Sequence, residues 1–167
     1  DSVLSYTPNE NFFGYDSLSY SVFGSETADT GLVGITVTAV NDAPVIITAI
    51  SDTTVDEDND SVIMADLDVV FNDIDSDLTF SYTNNNSGLL TVTINGDNSV
   101  TLTFASDSSG IANLTFTADD GEYTIADSIV VEVNPVNDPP GIVLPDTIFS
   151  NEDELLTVDF TPYFNDI

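Results

Sequence analysis

Leu90-Thr91-Val92-Thr93-Ile94-Asn95-Gly96-Asp97-Asn98-Ser99-Val100-Thr101-Leu102-Thr103-Phe104 is the stretch that decides the fold. On both sides of the Asn-Gly pair, apolar residues alternate with hydroxyl residues. Each flank therefore has one apolar and one polar face, the two-residue period of a half-buried strand. Asn95 and Gly96 both tolerate positive φ, which a tight hairpin turn requires. The stretch predicts two antiparallel strands joined by a short turn.

The same alternation continues outward, in Leu114 and Phe116 and in the run ending at Val133. Thr or Asn fills most of the outward positions. Seven strands are expected: A near 45–55, B near 61–69, C near 78–83, D near 89–94, E near 99–104, F near 111–118 and G near 123–133. No segment of useful length has a helical period. Seven short strands in such a span predict an all-β, Greek-key sandwich of immunoglobulin-like or cadherin-like type.

This unit is bounded by two copies of one motif. Val40-Asn41-Asp42-Ala43-Pro44 returns as Val136-Asn137-Asp138-Pro139-Pro140, with Asn41 and Asn137 separated by 96 positions. At the same offset, Gly14 meets Gly110, Leu18 meets Leu114, Tyr20 meets Phe116, Val33 meets Ile129 and Val37 meets Val133. Further on, Glu57-Asp58 resembles Glu152-Asp153, and Phe71-Asn72-Asp73-Ile74 resembles Phe164-Asn165-Asp166-Ile167. A long period with strand patterning predicts tandem sandwiches placed end to end. The expected division is 1–43 as the last strands of one repeat, 44–139 as a complete repeat, and 140–167 as the first strands of the next. Proline fixes φ and pushes the residue before it into an extended conformation, so each motif reads as a stiff linker.

Composition narrows the function. The 167 residues include 30 Asp plus Glu and no Lys, Arg, His or Cys, for a formal charge of −30. Nucleic acid and anionic membranes are disfavoured as partners, because both are bound through cationic side chains. Catalysis is not expected: paired carboxylates such as Asp73 and Asp75 exist, but no basic or thiol side chain accompanies them. No stretch approaches the length of a membrane span. With no side-chain cation, only solvent cations and hydrogen bonds can offset the self-repulsion of the carboxylates.

The acids cluster in the expected loops. Strands alternate in direction, so the B–C and F–G loops share the pole where the chain arrives, and the A–B and E–F loops share the pole where it leaves. At the first pole, linker residues Asn41 and Asp42 would meet Asp73 and Asp75 of B–C and Asp119 and Asp120 of F–G, with Glu10 nearby. At the second, Asn137 and Asp138 would meet Glu57, Asp58 and Asp107, with Asn165 and Asp166 from the next repeat, in which Glu152 and Asp153 are the candidate ligands matching Glu57 and Asp58. Six to eight oxygens in flexible geometry suit Ca²⁺, whereas Zn²⁺ normally takes His or Cys. Turns also favour Asp and Asn for their own hydrogen bonding, and a solvated acidic surface accounts for the same composition.

Taken together, Thr7-Pro8-Asn9-Glu10-Asn11-Phe12-Phe13-Gly14, the two Val-Asn-Asp linkers, Glu57-Asp58 and Phe71-Asn72-Asp73-Ile74-Asp75 resemble the bacterial cadherin-like tandem repeats of very large surface adhesins. The resemblance implies β-sandwich modules strung end to end, secreted or at the cell surface, with Ca²⁺ at the interfaces. Its linker positions carry over to Asn41, Asp42, Asn137 and Asp138. The chain departs from the pattern at Phe23-Gly24, where the next repeat has Asp119-Asp120. The expected function is a non-catalytic segment of an extracellular stalk, its partners being neighbouring repeats, with any cell-surface or polysaccharide target bound through other domains. A self-assembling fibre completed by neighbouring subunits and a carbohydrate-binding module are the alternatives.

Overall fold

The computed structural model describes residues 3–144 and 146–165. The chain opens with a hairpin, β1 (Gly14–Phe23) and β2 (Ala28–Val37), followed by the first linker. The next unit contains β3 (Val45–Ile46), β4 (Thr53–Asp56), β5 (Ser61–Asp66), a single helical turn α1 (Leu67–Val70) and β6 (Phe71–Asn72). It continues with β7 (Thr79–Asn84), β8 (Leu90–Ile94), β9 (Ser99–Phe104), β10 (Gly110–Asp119) and β11 (Thr124–Asn134). After the second linker come β12 (Gly141–Ile142), a 3₁₀ turn at Thr161–Tyr163 and β13 (Phe164–Asn165).

The central unit is an all-β sandwich. One sheet runs β4-β11-β10-β7 and the facing sheet β5-β9-β8, with β3 and β6 forming a separate short pair. The inward apolar phases of both sheets meet in one core: Val92, Val100 and Leu102 from the second, Leu114, Phe116 and Val131 from the first. Leu114, Phe116, Val100 and Val131 are fully enclosed. The decisive hairpin is present as β8 and β9, paired from Leu90 opposite Phe104 to Ile94 opposite Val100.

Three local expectations are corrected. Strand A is not continuous: its first part pairs with β6, and its second crosses to run parallel with β11. Strand B stops at Asp66, whose side chain accepts from the Asp68 amide and caps α1. Leu67, Val70 and Phe71 then reach the core at helical spacing, which a two-residue reading misses. In the β8–β9 turn the left-handed residue is Asn98, at φ 59°, rather than Asn95 or Gly96. Asn95 instead closes the loop, its backbone amide donating to the Ser99 carbonyl at 2.9 Å.

The flanking segments reproduce pieces of the central unit. Gly14 opposes Val37 in the first hairpin as Gly110 opposes Val133 in β10–β11, both shifted by 96 positions. Both glycines have left-handed backbone, φ +116° and +145°, where a side chain would be strained. At the other end, Ile142 opposes Phe164 as Ile46 opposes Phe71. Asp159 accepts from the Thr161 amide at 2.9 Å, much as Asp66 caps α1.

Candidate functional site

The pole where the first linker enters the sandwich gathers side chains from three segments. The β6–β7 loop supplies Asp73, Asp75 and Ser76; the β10–β11 turn supplies Asp119 and Asp120; the linker supplies Asn41 and Asp42. Each loop is built first on its own carboxylates. Asp73 Oδ1 accepts the amides of Asp75 and Ser76, both at 2.9 Å. Asp120 Oδ1 accepts those of Glu122 at 2.7 Å and Tyr123 at 2.6 Å. Asp119 Oδ1 accepts the Gly121 amide at 2.7 Å. These are Asx-type turns, the local bonding that favours Asp in loops.

Two carboxylates of these loops reach the linker, and Asp119 is not among them. Asp120 Oδ2 accepts from Asn41 Nδ2 at 3.0 Å, and Asp75 Oδ2 accepts from the Asp42 amide at 3.3 Å. Ser76 donates its hydroxyl to Asn41 Oδ1 at 2.9 Å. Asn41 thus bridges both loops with one side chain. Asp73 Oδ2 is shut off from solvent and has no hydrogen-bond partner among the described residues. A buried carboxylate oxygen left in that state is costly and calls for an explanation.

The electrostatics follow this division. Amide donation from Asp75 and then Ser76 holds the Asp73 carboxyl below the usual carboxylate range, against an opposing contribution from burial. Asp75 is pushed up, first by burial and then by its neighbour Asp73. The Tyr123 and Glu122 amides and the Asn41 side chain hold Asp120 down, despite partial burial. Among the described residues no group of three or more acidic side chains converges closely enough to form a ready-made metal centre. The joint is drawn together by hydrogen bonds.

The other pole is organised differently. Glu57 is the one buried acid among the described residues, 8 % exposed, and its Oε1 accepts the Val136 amide at 2.7 Å. Its own amide donates to the Asn134 carbonyl at 2.9 Å, so Glu57 clips the end of β11 and the start of the second linker. Asn137 bonds to the Asp138 carbonyl at 2.9 Å. Asp58 and Asp107 occupy left-handed positions in exposed turns, φ 70° and 51°. Glu152 and Asp153 are exposed, Asp153 with the same left-handed backbone, φ 65°, as its counterpart Asp58. Asp166 lies outside the described residues.

Sequence reasoning passed over Ser76 and a pair of carboxylates that fasten strand A. Asp127 Oδ2 accepts the Ile50 amide at 2.7 Å, and Asp52 Oδ1 accepts the Val130 amide at 2.8 Å. The signal was available: Asp127 sits on the same phase of β11 as Ile129, Val131 and Val133, where an acid is out of place unless it is bonded.

Comparison with curated proteins gives no match. Among solved structures, the chain is similar to human protocadherin-24 EC1-2, at 18 % identity over 81 % of this chain and 71 % of that one, with TM-score 0.49. It is also similar to the endo-fucoidan hydrolase MfFcnA4 from glycoside hydrolase family 107 (18 % identity, 84 % of this chain, 21 % of that chain, TM-score 0.43). A third likeness is to surface layer protein SbsC, domains 4–9 (14 %, 78 %, 20 %, TM-score 0.37). The chain spans about a fifth of the length of the fucoidan hydrolases it matches. Among the described residues no helix is long and apolar enough to cross a membrane. The family profile of bacterial Ig domains, Big_9, matches residues 41–134, from the linker asparagine to the last residue of β11. With more than half its length matched, the chain belongs to the bacterial Ig domain family, a family of non-catalytic modules typical of the cell exterior.

Proposed function

We propose that the chain is a non-catalytic structural segment of an extracellular stalk, made of tandem Ig-like modules whose joints are stiffened by Ca²⁺. The observation that carries this reading is the first joint, where Asn41 ties the linker to two acidic loops and Asp73 Oδ2 is buried without a partner. The donors fit a hard cation, since carboxylates and amide oxygens are available and His and Cys are absent. Asp73, Asp75 and Asp120, with Asn41 and Asp42, would draw in around the ion, since they do not converge without it. Its charge would offset the repulsion among carboxylates that have no side-chain cation to pair with. At the second joint Asn137, Asp138, Asp58 and Asp107 are the candidates, with Glu57 committed to the backbone.

Support for the tandem arrangement comes from the first hairpin. Tyr20 is 51 % exposed and Val33 37 %, whereas their counterparts Phe116 and Ile129 are 0 % and 2 % exposed. The hairpin has the apolar face of a sandwich half. Strands of a preceding module in the same chain would cover it; in the alternative fibre reading, a neighbouring subunit would. Electron microscopy separates these, as short single rods or as filaments. For the metal, calorimetry and small-angle scattering of the full chain in Ca²⁺ and in EDTA are decisive. The expected result is a higher melting temperature and a longer, narrower shape in Ca²⁺. Identical melting and shape in both would sink the proposal. Extracellular modules bind Ca²⁺ at about 10⁻⁴ to 10⁻³ M, which sets the titration range.

A further inference from the structure

We propose that the first joint carries an apolar clasp that the second lacks: Ile74 seats on Phe12 and Phe13 when the cleft between them closes, so the two joints of one chain differ in stiffness. This rests on the tandem-joint reading above, but not on metal. A cleft of about 240 Å³ separates the end of the first hairpin from the sandwich, with Phe12, Phe13 and Val40 on one wall and Ile74 and Asp75 on the other. These apolar side chains are largely open, Phe13 at 62 %, Ile74 at 60 % and Val40 at 79 % exposed. Closing it takes the facing Phe12, Phe13, Val40 and Ile74 surfaces out of water, with Asp42 and Asp75 kept wet at its rim.

The direction of closure follows from what is fixed. Asn41 and Asp42 are bonded to the loops of the sandwich, and β2 ends at Val37. The freedom left lies in residues 38–40, which belong to no strand. Rotation there swings the Asn9–Phe13 turn toward Ile74. At the second joint, the positions 96 further on hold Ser108 and Ser109 in place of Phe12 and Phe13. Two hydroxyls there offer no apolar seat.

The absence of cysteine makes a clean test possible. Spin labels on Ser19→Cys with Thr93→Cys span the first joint, and labels on Thr93→Cys with Thr157→Cys span the second. In EDTA the first pair should give the narrower distance distribution. Phe12→Ser with Phe13→Ser should broaden it to match the second, lowering the closed-to-open ratio roughly tenfold, the factor carried by some tens of Å² of apolar contact. Ile74→Ala, on the opposite wall, should do the same, and Ser108→Phe with Ser109→Phe should narrow the second. Equal widths in the parent chain, or an unchanged first width in both clasp variants, overturns the clasp. Added Ca²⁺ is read separately: a chain indifferent to Ca²⁺ but sensitive to the phenylalanines loses the metal proposal and keeps the clasp.

Discussion

Replacing Glu57 with alanine tests whether a buried acid can be a structural clip in a chain without cations. Glu57 is 8 % exposed, and its Oε1 lies 2.7 Å from the Val136 amide. Alanine removes the acceptor and leaves that amide without its protein partner at the point where β11 becomes linker. Val136 is 40 % exposed, so water can take the vacated place, and what is lost is one hydrogen bond to a charged group, about 1.5–3 kcal/mol. In a unit of this size about 1 kcal/mol corresponds to roughly 4–8 °C in melting temperature, so a fall of about 5–20 °C is expected. Glutamine keeps an acceptor oxygen but not its charge, and charge-assisted bonds are roughly twice as strong as neutral ones, so Glu57→Gln should recover about half of the loss. Differential scanning calorimetry in EDTA keeps any metal role of the side chain out of the comparison, and hydrogen exchange at the Val136 amide localises the effect. A Glu57→Ala chain that melts within about 2 °C of the parent, with Val136 still protected, would refute the clip.

Three further outcomes follow from the same geometry. Asp75→Asn should stabilise the chain at neutral pH in EDTA: the folded carboxyl is pushed up, so its ionised form is a liability that is relieved as pH falls through the raised value, and urea unfolding at pH 7 and at acid pH reads the difference. Asp120→Asn should flatten the acid limb of stability, because a depressed folded value gives stability that is present above the ordinary carboxylate range and lost as pH falls through it, below about pH 4. Phe116→Ala, at a fully buried position between the sheets, should cost about 3–5 kcal/mol, measured by denaturant unfolding.

The strands were legible because both sheets have one solvated face, which imprints alternation on the sequence. β9 falls on Ser99–Phe104 as its threonine pattern requires. What the pattern hid were the places where the chain changes sheet. Leu67, Val70 and Phe71 sit three and four apart, yet so short a run between strands does not announce a helical period, and the Asp66 cap was the only local sign. The crossing of strand A was similarly hidden, because its bonds run to Asp127 and to Asp52's partner Val130, nearly 80 positions away. At the site, strand alternation was enough to bring Asn41 and Asp42 to the loops of Asp75 and Asp120. It could not say which oxygen would bond to what, since each loop amide competes with the linker for the same carboxylates.

That competition is resolved by a division of labour between the two oxygens of a carboxylate. In Asp73 and Asp120 one oxygen accepts the amides of the side chain's own loop, so the loops hold their shape without the linker. The second oxygen is left to the joint: Asp120 spends it on Asn41, and Asp73 on nothing. Turn preference and cation binding are therefore not rival explanations of the acids. In these two residues turn formation uses one carboxylate oxygen and leaves the second to the joint. A chain that needed only turns would be served as well by asparagine, whose side-chain oxygen makes the same first bond without the charge. Keeping Asp at position 73, with a second oxygen enclosed and unbonded, makes sense if something positive is to meet it.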